Sequence, residues 1–239
     1  MGKTESSASG RSRRGPGRPK AGSEDKSARI LEEALNLFSR VGYDGASLED
    51  IARASDLSKA GLLHHYPSKE ALFAAVLEER DRRSTLTITE TLGLPVDRQT
   101  LPSGLEVDAW EALRSWEHVL EENFRNVAGT SLYVTLGSSV TNPDHPAHEW
   151  FTTHLSVFLN TFCEVLEQGK KRGTVDPAAP SMQIARILAA VSDGLQLQYL
   201  AHVTDLESGD EKSLKALDTD IVSEAHLVIQ MIEDRWRIR

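Results

Sequence analysis

The 239-residue sequence predicts an all-α fold of about nine helices, with an N-terminal three-helix unit built around a helix-turn-helix and a larger helical bundle behind it. Three observations predict it. Apolar residues recur at helical spacing in every clear pattern, and no stretch alternates as a half-buried strand does. Residues 47–72, SLEDIARASDLSKAGLLHHYPSKEAL, read as two short helices joined by a tight turn, with another helix starting directly after. Glycine and proline punctuate the chain at Gly42 and Gly45, over 93–104, and from Gly169 to Pro177.

The first helix is expected from about Glu24 to Val41, with an apolar stripe of Ile30, Leu31, Ala34, Leu35, Leu37 and Phe38 and a stop at Gly42. Ser47 is a good N-cap for the second, with Asp50 where a capping-box acid belongs and Leu48, Ile51 and Ala52 on one face. After the turn Ser55-Asp56-Leu57, Ser58 caps a third helix that has to end before Pro67, with Leu57 and Leu62 pointing back at Ile51. So short a helix is unstable alone. Crossing its neighbour steeply through a tight turn, it is the kind of rod that enters a major groove. Ser68 caps a long helix carrying Leu72, Phe73, Val76 and Leu77, which runs toward Thr91 and becomes polar.

Residues 93–104, with Gly93, Pro95, Pro102 and Gly104, are the expected break. Beyond it, Trp110, Leu113, Trp116, Leu120, Phe124 and Val127 share one helical face, and Phe151, His154, Leu155, Phe158, Phe162 and Val165 share another. The second of these helices is expected to start at Asp144 and Pro146 and to stop between Gly169 and Gly173. A helix from about Ser181 to Leu206 and a last one from about Lys212 to Trp236, with Leu214, Leu217, Ile221, Ala225, Val228 and Ile232, complete the chain. The expected division is a flexible basic arm over 1–23, a helix-turn-helix domain over 24–70, and an effector-binding and dimerisation domain over 71–239.

The net charge of −9 is unevenly spread. Residues 1–90 carry 15 basic and 14 acidic side chains, the remainder 12 and 22. Arg11, Arg13, Arg14, Arg18 and Lys20 crowd into ten residues with no acid among them, so the part that suits a polyanion is local. The lone cysteine, Cys163, leaves no intramolecular disulfide and fits a reducing cytoplasm. No apolar run approaches a membrane span. Around Arg18, Pro16-Gly17-Arg18-Pro19-Lys20 resembles the Gly-Arg-Pro core of AT-hook peptides, with Pro16 where those have arginine. Minor-groove insertion of Arg18 and a solvated tail adding only phosphate affinity are equally compatible with it.

The spacing of Gly42-Tyr43, Ile51-Ala52, Ser58-Lys59, His64 and Tyr66-Pro67-Ser68-Lys69-Glu70-Ala71-Leu72 resembles that of the TetR family of bacterial transcriptional regulators over residues 24–80. Farther on, the resemblance rests on helix number and Asp193-Gly194-Leu195-Gln196. It implies a homodimer on a near-palindromic double-stranded operator, usually repressing, released by a small-molecule effector. By position it places Ser47 and Lys69 at phosphates, with Ser58, Lys59, Ala60, Gly61, Leu63, His64 and His65 along the DNA-facing helix. That family often has a hydroxyl residue at Gly61 and tyrosine at Leu63, so direct base readout should be sparse here and the basic arm more important.

Trp110, Trp116, Phe124, Phe151, His154, Phe158, Phe162, Gln196 and Tyr199 are the candidate effector-contacting residues. Each of these aromatics, and Trp150 with them, fits plain core better when taken alone, but several are expected to share a cavity suited to an apolar or aromatic compound. Asp144, His145 and His148 have metal-ligand spacing, yet a helix start needs similar residues, and no metal or cofactor is expected. Cys163 reads as a small buried hydrophobe. No nucleophile elbow, phosphate-binding glycine loop or paired carboxylates point to an enzyme. The alternative is a DNA-architectural or co-regulator protein of low sequence preference.

Overall fold

Serines start three of the first four helices. The computed structural model describes residues 23–94, 107–208 and 221–238. Its helices are α1 (Ser23–Gly45), α2 (Leu48–Ala54), α3 (Lys59–His65), α4 (Lys69–Thr91), α5 (Ala109–Arg125), α6 (Val127–Ser139), α7 (His148–Arg172), α8 (Ser181–Ser208) and α9 (Ile221–Trp236). The fold is all-α, and the described residues add only an isolated antiparallel bridge between Val175 and Arg237. The hydroxyls of Ser47, Ser58 and Ser68 accept the backbone N–H groups of Asp50, Gly61 and Ala71, each at 3.1 Å, and so satisfy first-turn donors that have no helical partner. Gly42 breaks the regular part of α1 at φ 73°, a left-handed conformation that glycine adopts without strain. The turn between α2 and α3 passes through Asp56 at φ 59°, and Arg29 of α1 reaches across to its carboxylate and to the Ala54 carbonyl, both at 3.4 Å.

Two apolar cores form. The first joins Ile30, Ala34 and Phe38 of α1, Ile51 and Ala52 of α2, Leu62 of α3 and Leu72, Phe73, Val76 and Leu77 of α4. Leu132 and Leu136 of α6 complete it, together with Val140 and Ala147 just beyond. The second gathers Trp110, Trp116 and Leu120 of α5, Phe162 and Leu166 of α7, Ile184 and Leu188 of α8 and Ile229 of α9. Helix α4 therefore starts in one core and runs out over the other.

Several expectations change. The face expected to run from Trp110 to Val127 ends at Asn126, whose side chain accepts the Gly129 N–H at 3.1 Å and starts α6. Val127 is thus exposed and off the α5 stripe. Helix α7 begins at His148, not at Asp144 and Pro146. Ahead of it the imidazoles of His145 and His148 are taken up by the Ala147 N–H (3.1 Å) and the Val140 carbonyl (2.7 Å). Gly169 does not stop α7. It lies inside the helix where a Cβ would come within 2.5 Å of Val175 Cγ2, and the stop is Gly173 at φ 76°. Cys163 is only half-buried, and its thiol pKa is raised chiefly by desolvation. Among the described residues no helix is long and apolar enough to cross a membrane. The basic arm with Arg18, the break residues Pro95, Pro102 and Gly104, and Leu214 and Leu217 lie outside the described residues.

Candidate functional site

Helix α3 is seated by Leu62, which is fully buried against the first core, while Ser58, Lys59, Ala60 and His64 are exposed. Gly61 and Leu63 are half-buried beside them. Seated in this way, the seven-residue helix leaves the side carrying Ser58, Lys59, Ala60 and His64 open to a partner. The Lys59 ammonium pairs with the Glu49 carboxylate of α2, and that hydrogen bond holds Glu49 below the usual carboxylate range. His65 is turned away from the exposed side, with Nδ1 3.4 Å from the Ser27 hydroxyl of α1. The Ser47 hydroxyl caps α2 and also donates to the Asp50 carboxylate at 2.6 Å. Lys69 stands in the first turn of α4 with Nζ 4.3 Å from the Tyr43 ring centroid, a cation–π contact. Burial, and then the hydrogen bond that the Tyr43 hydroxyl donates to Glu70 at 3.0 Å, push that phenol up to about 12.

A second feature lies inside the bundle. A cavity of about 550 Å³ opens between α4, α5, α6, α7 and α8, a volume ordinary for a small-molecule site. Of the candidate contact residues, the structure brings Trp116, His154, Phe158, Phe162 and Gln196 to its wall. The other four go elsewhere, each fixed by a partner. Trp110 is fully buried and its indole N–H donates to the Thr174 carbonyl at 3.2 Å. Phe124 and Tyr199 pack ring on ring at 4.7 Å, with the Tyr199 hydroxyl donating to the Phe124 carbonyl at 2.7 Å. Phe151 packs against the first core and stacks on Tyr133 at 5.6 Å.

The wall also holds Trp150, another of the aromatics expected to share a cavity, and four residues that sequence reasoning missed: Arg80, Asp81, Tyr133 and Asp193. Asp81 accepts the Trp150 indole N–H at 2.9 Å and lies 2.8 Å from His154 Nδ1. These contacts tie α4 to α7. The Arg80 guanidinium lies 4.1 Å from the Tyr133 ring centroid, and the Tyr133 hydroxyl donates to Asp193 at 3.0 Å. Desolvation dominates here: it raises the Tyr133 phenol and the Asp193 carboxyl and lowers Arg80. Gln196 is already occupied, donating to Ser192 and accepting from Asn123 at 3.3 Å. Aromatic faces around a small charged cluster make a chamber whose chemistry suits an apolar body oriented by a few polar contacts.

Residues 30–76 match the domain described as bacterial regulatory proteins, tetR family. The chain is 30% identical over 180 residues to the A-factor receptor protein of Streptomyces griseus, covering 75% of this chain but only 55% of that protein. It is 48% identical over 62 residues to the HTH-type transcriptional regulator RutR of Escherichia coli K12, 26% of this chain and 29% of that one. A TetR transcriptional regulator from Chloroflexus aurantiacus superposes with a TM-score of 0.67 at 16% identity, over 90% of this chain and 98% of that one. The capped helix-turn-helix is thus matched in sequence by the tetR family domain over residues 30–76, and the helical course beyond it is similar in fold to a TetR regulator.

Proposed function

We propose that the protein is a ligand-responsive transcriptional repressor that binds a near-palindromic operator as a homodimer and releases it when a small molecule fills the α4–α8 chamber. One observation carries this reading: α4 serves both features. Its first turns, through Leu72, Phe73, Val76 and Leu77, pack in the core that seats α3, and its later turns place Arg80, Asp81, Ser84 and Ile88 on the chamber wall. A ligand that fits better with α4 displaced shifts α3 with it, and the coupling free energy is the difference in ligand affinity between the two positions. Half-sites about 34 Å apart tolerate little error in the spacing of two recognition helices.

The DNA contacts we assign are Ser47, Ser58 and Lys69 to phosphates and Lys59, Ala60, Gly61, Leu63 and His64 toward the groove, with Arg18 adding affinity from the arm. Lys59 has to leave Glu49 to reach a base, so the two compete for one ammonium. For dimerisation, α8 and α9 leave Ile187, Leu197, Leu227 and Met231 between 53% and 64% exposed, apolar surface that suits an isologous four-helix contact. An aligned stretch of 180 residues in this chain has to take in α5, α6 and most of α7, so the likeness to a protein named as a receptor reaches the chamber.

Selection of bound duplexes from random-sequence DNA, followed by electrophoretic shifts over a salt series, tests the reading. A repressor should favour one near-palindrome by about 10³-fold or more over unrelated DNA. Salt-dependent binding that ignores sequence would mean an architectural protein instead.

A further inference from the structure

Among the described residues, Arg80 is the one charged group shared by two adjoining spaces. It lines the α4–α8 chamber and also a neighbouring groove of about 520 Å³ between α4 and α5, with Ser84, Val119 and Asn123 at the same junction. Its side chain is only 11% exposed. A guanidinium carries five N–H donors in one plane, and in so enclosed a place they require acceptors. Asp81 Oδ2 accepts from Trp150, and the nearer Oδ1 stands 3.7 Å away, beyond hydrogen-bond length, so the guanidinium and that oxygen do not satisfy one another. Asp193 is engaged by the Tyr133 hydroxyl. Tyr133 supports the guanidinium through its ring face, which leaves the N–H edge unspent. Around this edge the chamber is aromatic, with Trp116, Trp150, Phe158 and Phe162.

We propose that the effector is a two-part molecule, an apolar or aromatic body held in the chamber and a planar oxygen-acceptor group, carbonyl or carboxylate, taken in-plane by Arg80 at the junction with the α4–α5 groove. The proposal rests on the chamber being the effector site. It adds the head group that the site selects and places its capture on α4, the helix that seats α3.

The test is isothermal calorimetry of the full-length protein with three probes that share one body: 2-naphthoate, 2-naphthamide and 2-ethylnaphthalene. Wild type should bind at least one acceptor-bearing probe tenfold or more tighter than 2-ethylnaphthalene. Preference for naphthoate assigns a carboxylate head, and preference for naphthamide a neutral carbonyl. Arg80→Gln should bring the three affinities together. Equal affinities in wild type, or a preference that survives in a folded Arg80→Gln protein, would overturn the Arg80 assignment and leave the chamber assignment standing. If Arg80→Gln does not fold, the wild-type series decides. Wild type binding none of the three would overturn the chamber assignment and this proposal with it.

Discussion

Replacing Asp81 by alanine should loosen α4 from α7 by an amount that the contacts allow to be estimated. Asp81 accepts the Trp150 indole N–H at 2.9 Å, lies 2.8 Å from His154 Nδ1, and is one-third exposed. The one hydrogen bond here is that from Trp150; such a bond to a charged acceptor contributes about 1.5–3 kcal/mol when buried, and partial exposure reduces it toward about 1 kcal/mol. Truncation also leaves the Trp150 N–H unmet in a largely enclosed place, so the total loss should be roughly 2–3 kcal/mol. Asp81→Asn keeps one acceptor oxygen and should lose about half as much by the same reasoning. Urea unfolding at fixed protein concentration reads both values, since the apparent stability of the proposed dimer varies with concentration. A loss below about 0.5 kcal/mol for Asp81→Ala, the size of an ordinary surface change, would refute the tie as a structural element. So would an asparagine variant as unstable as the alanine one.

Other perturbations follow from the same packing. Leu62→Ala empties the fully buried seat of α3 and should cost about 2–5 kcal/mol in thermal or urea unfolding, with operator binding lost as well. Gly169→Ala should destabilise by about 1–3 kcal/mol despite alanine's helix propensity, because the new methyl would meet Val175 at 2.5 Å and Ala109 at 3.0 Å. Asp193 has its pKa raised mainly by burial, so the folded state holds its proton more tightly than the unfolded chain does, and stability falls as pH rises through the folded value. Asp193→Asn should therefore melt higher than wild type at pH 7, with the gap closing as pH drops toward the ordinary aspartate range. A gap that widens on acidification would contradict it.

The helix-turn-helix was legible because its signals are local: Ser47, Ser58 and Ser68 cap what they were expected to cap, and Ile51 and Leu62 face inward. Helix α6 was not. Leu132 and Leu136 face the first core while Tyr133 faces the chamber, so the helix is covered on two sides and carries no single apolar stripe. In the chamber, α4 was expected only to become polar toward Thr91, yet the structure turns Arg80 and Asp81 of its charged run inward. The signal was present: Arg80, Asp81, Ser84 and Ile88 follow Leu77 at helical spacing, so the inward face of α4 continues in polar residues. Trp110, Phe124, Phe151 and Tyr199 carry the same periodicity as the true wall residues, and only tertiary partners separate the two sets.

In the proposed dimer, two copies of α3 should project at a spacing that matches a turn of DNA. Spin labels at Ala60→Cys in a Cys163→Ser background, measured by pulsed dipolar spectroscopy on the operator-bound protein, read that spacing directly. A single distribution centred at ~34–36 Å is expected. No dipolar coupling, as from a monomer, or a separation that no whole turn of B-DNA matches would contradict it.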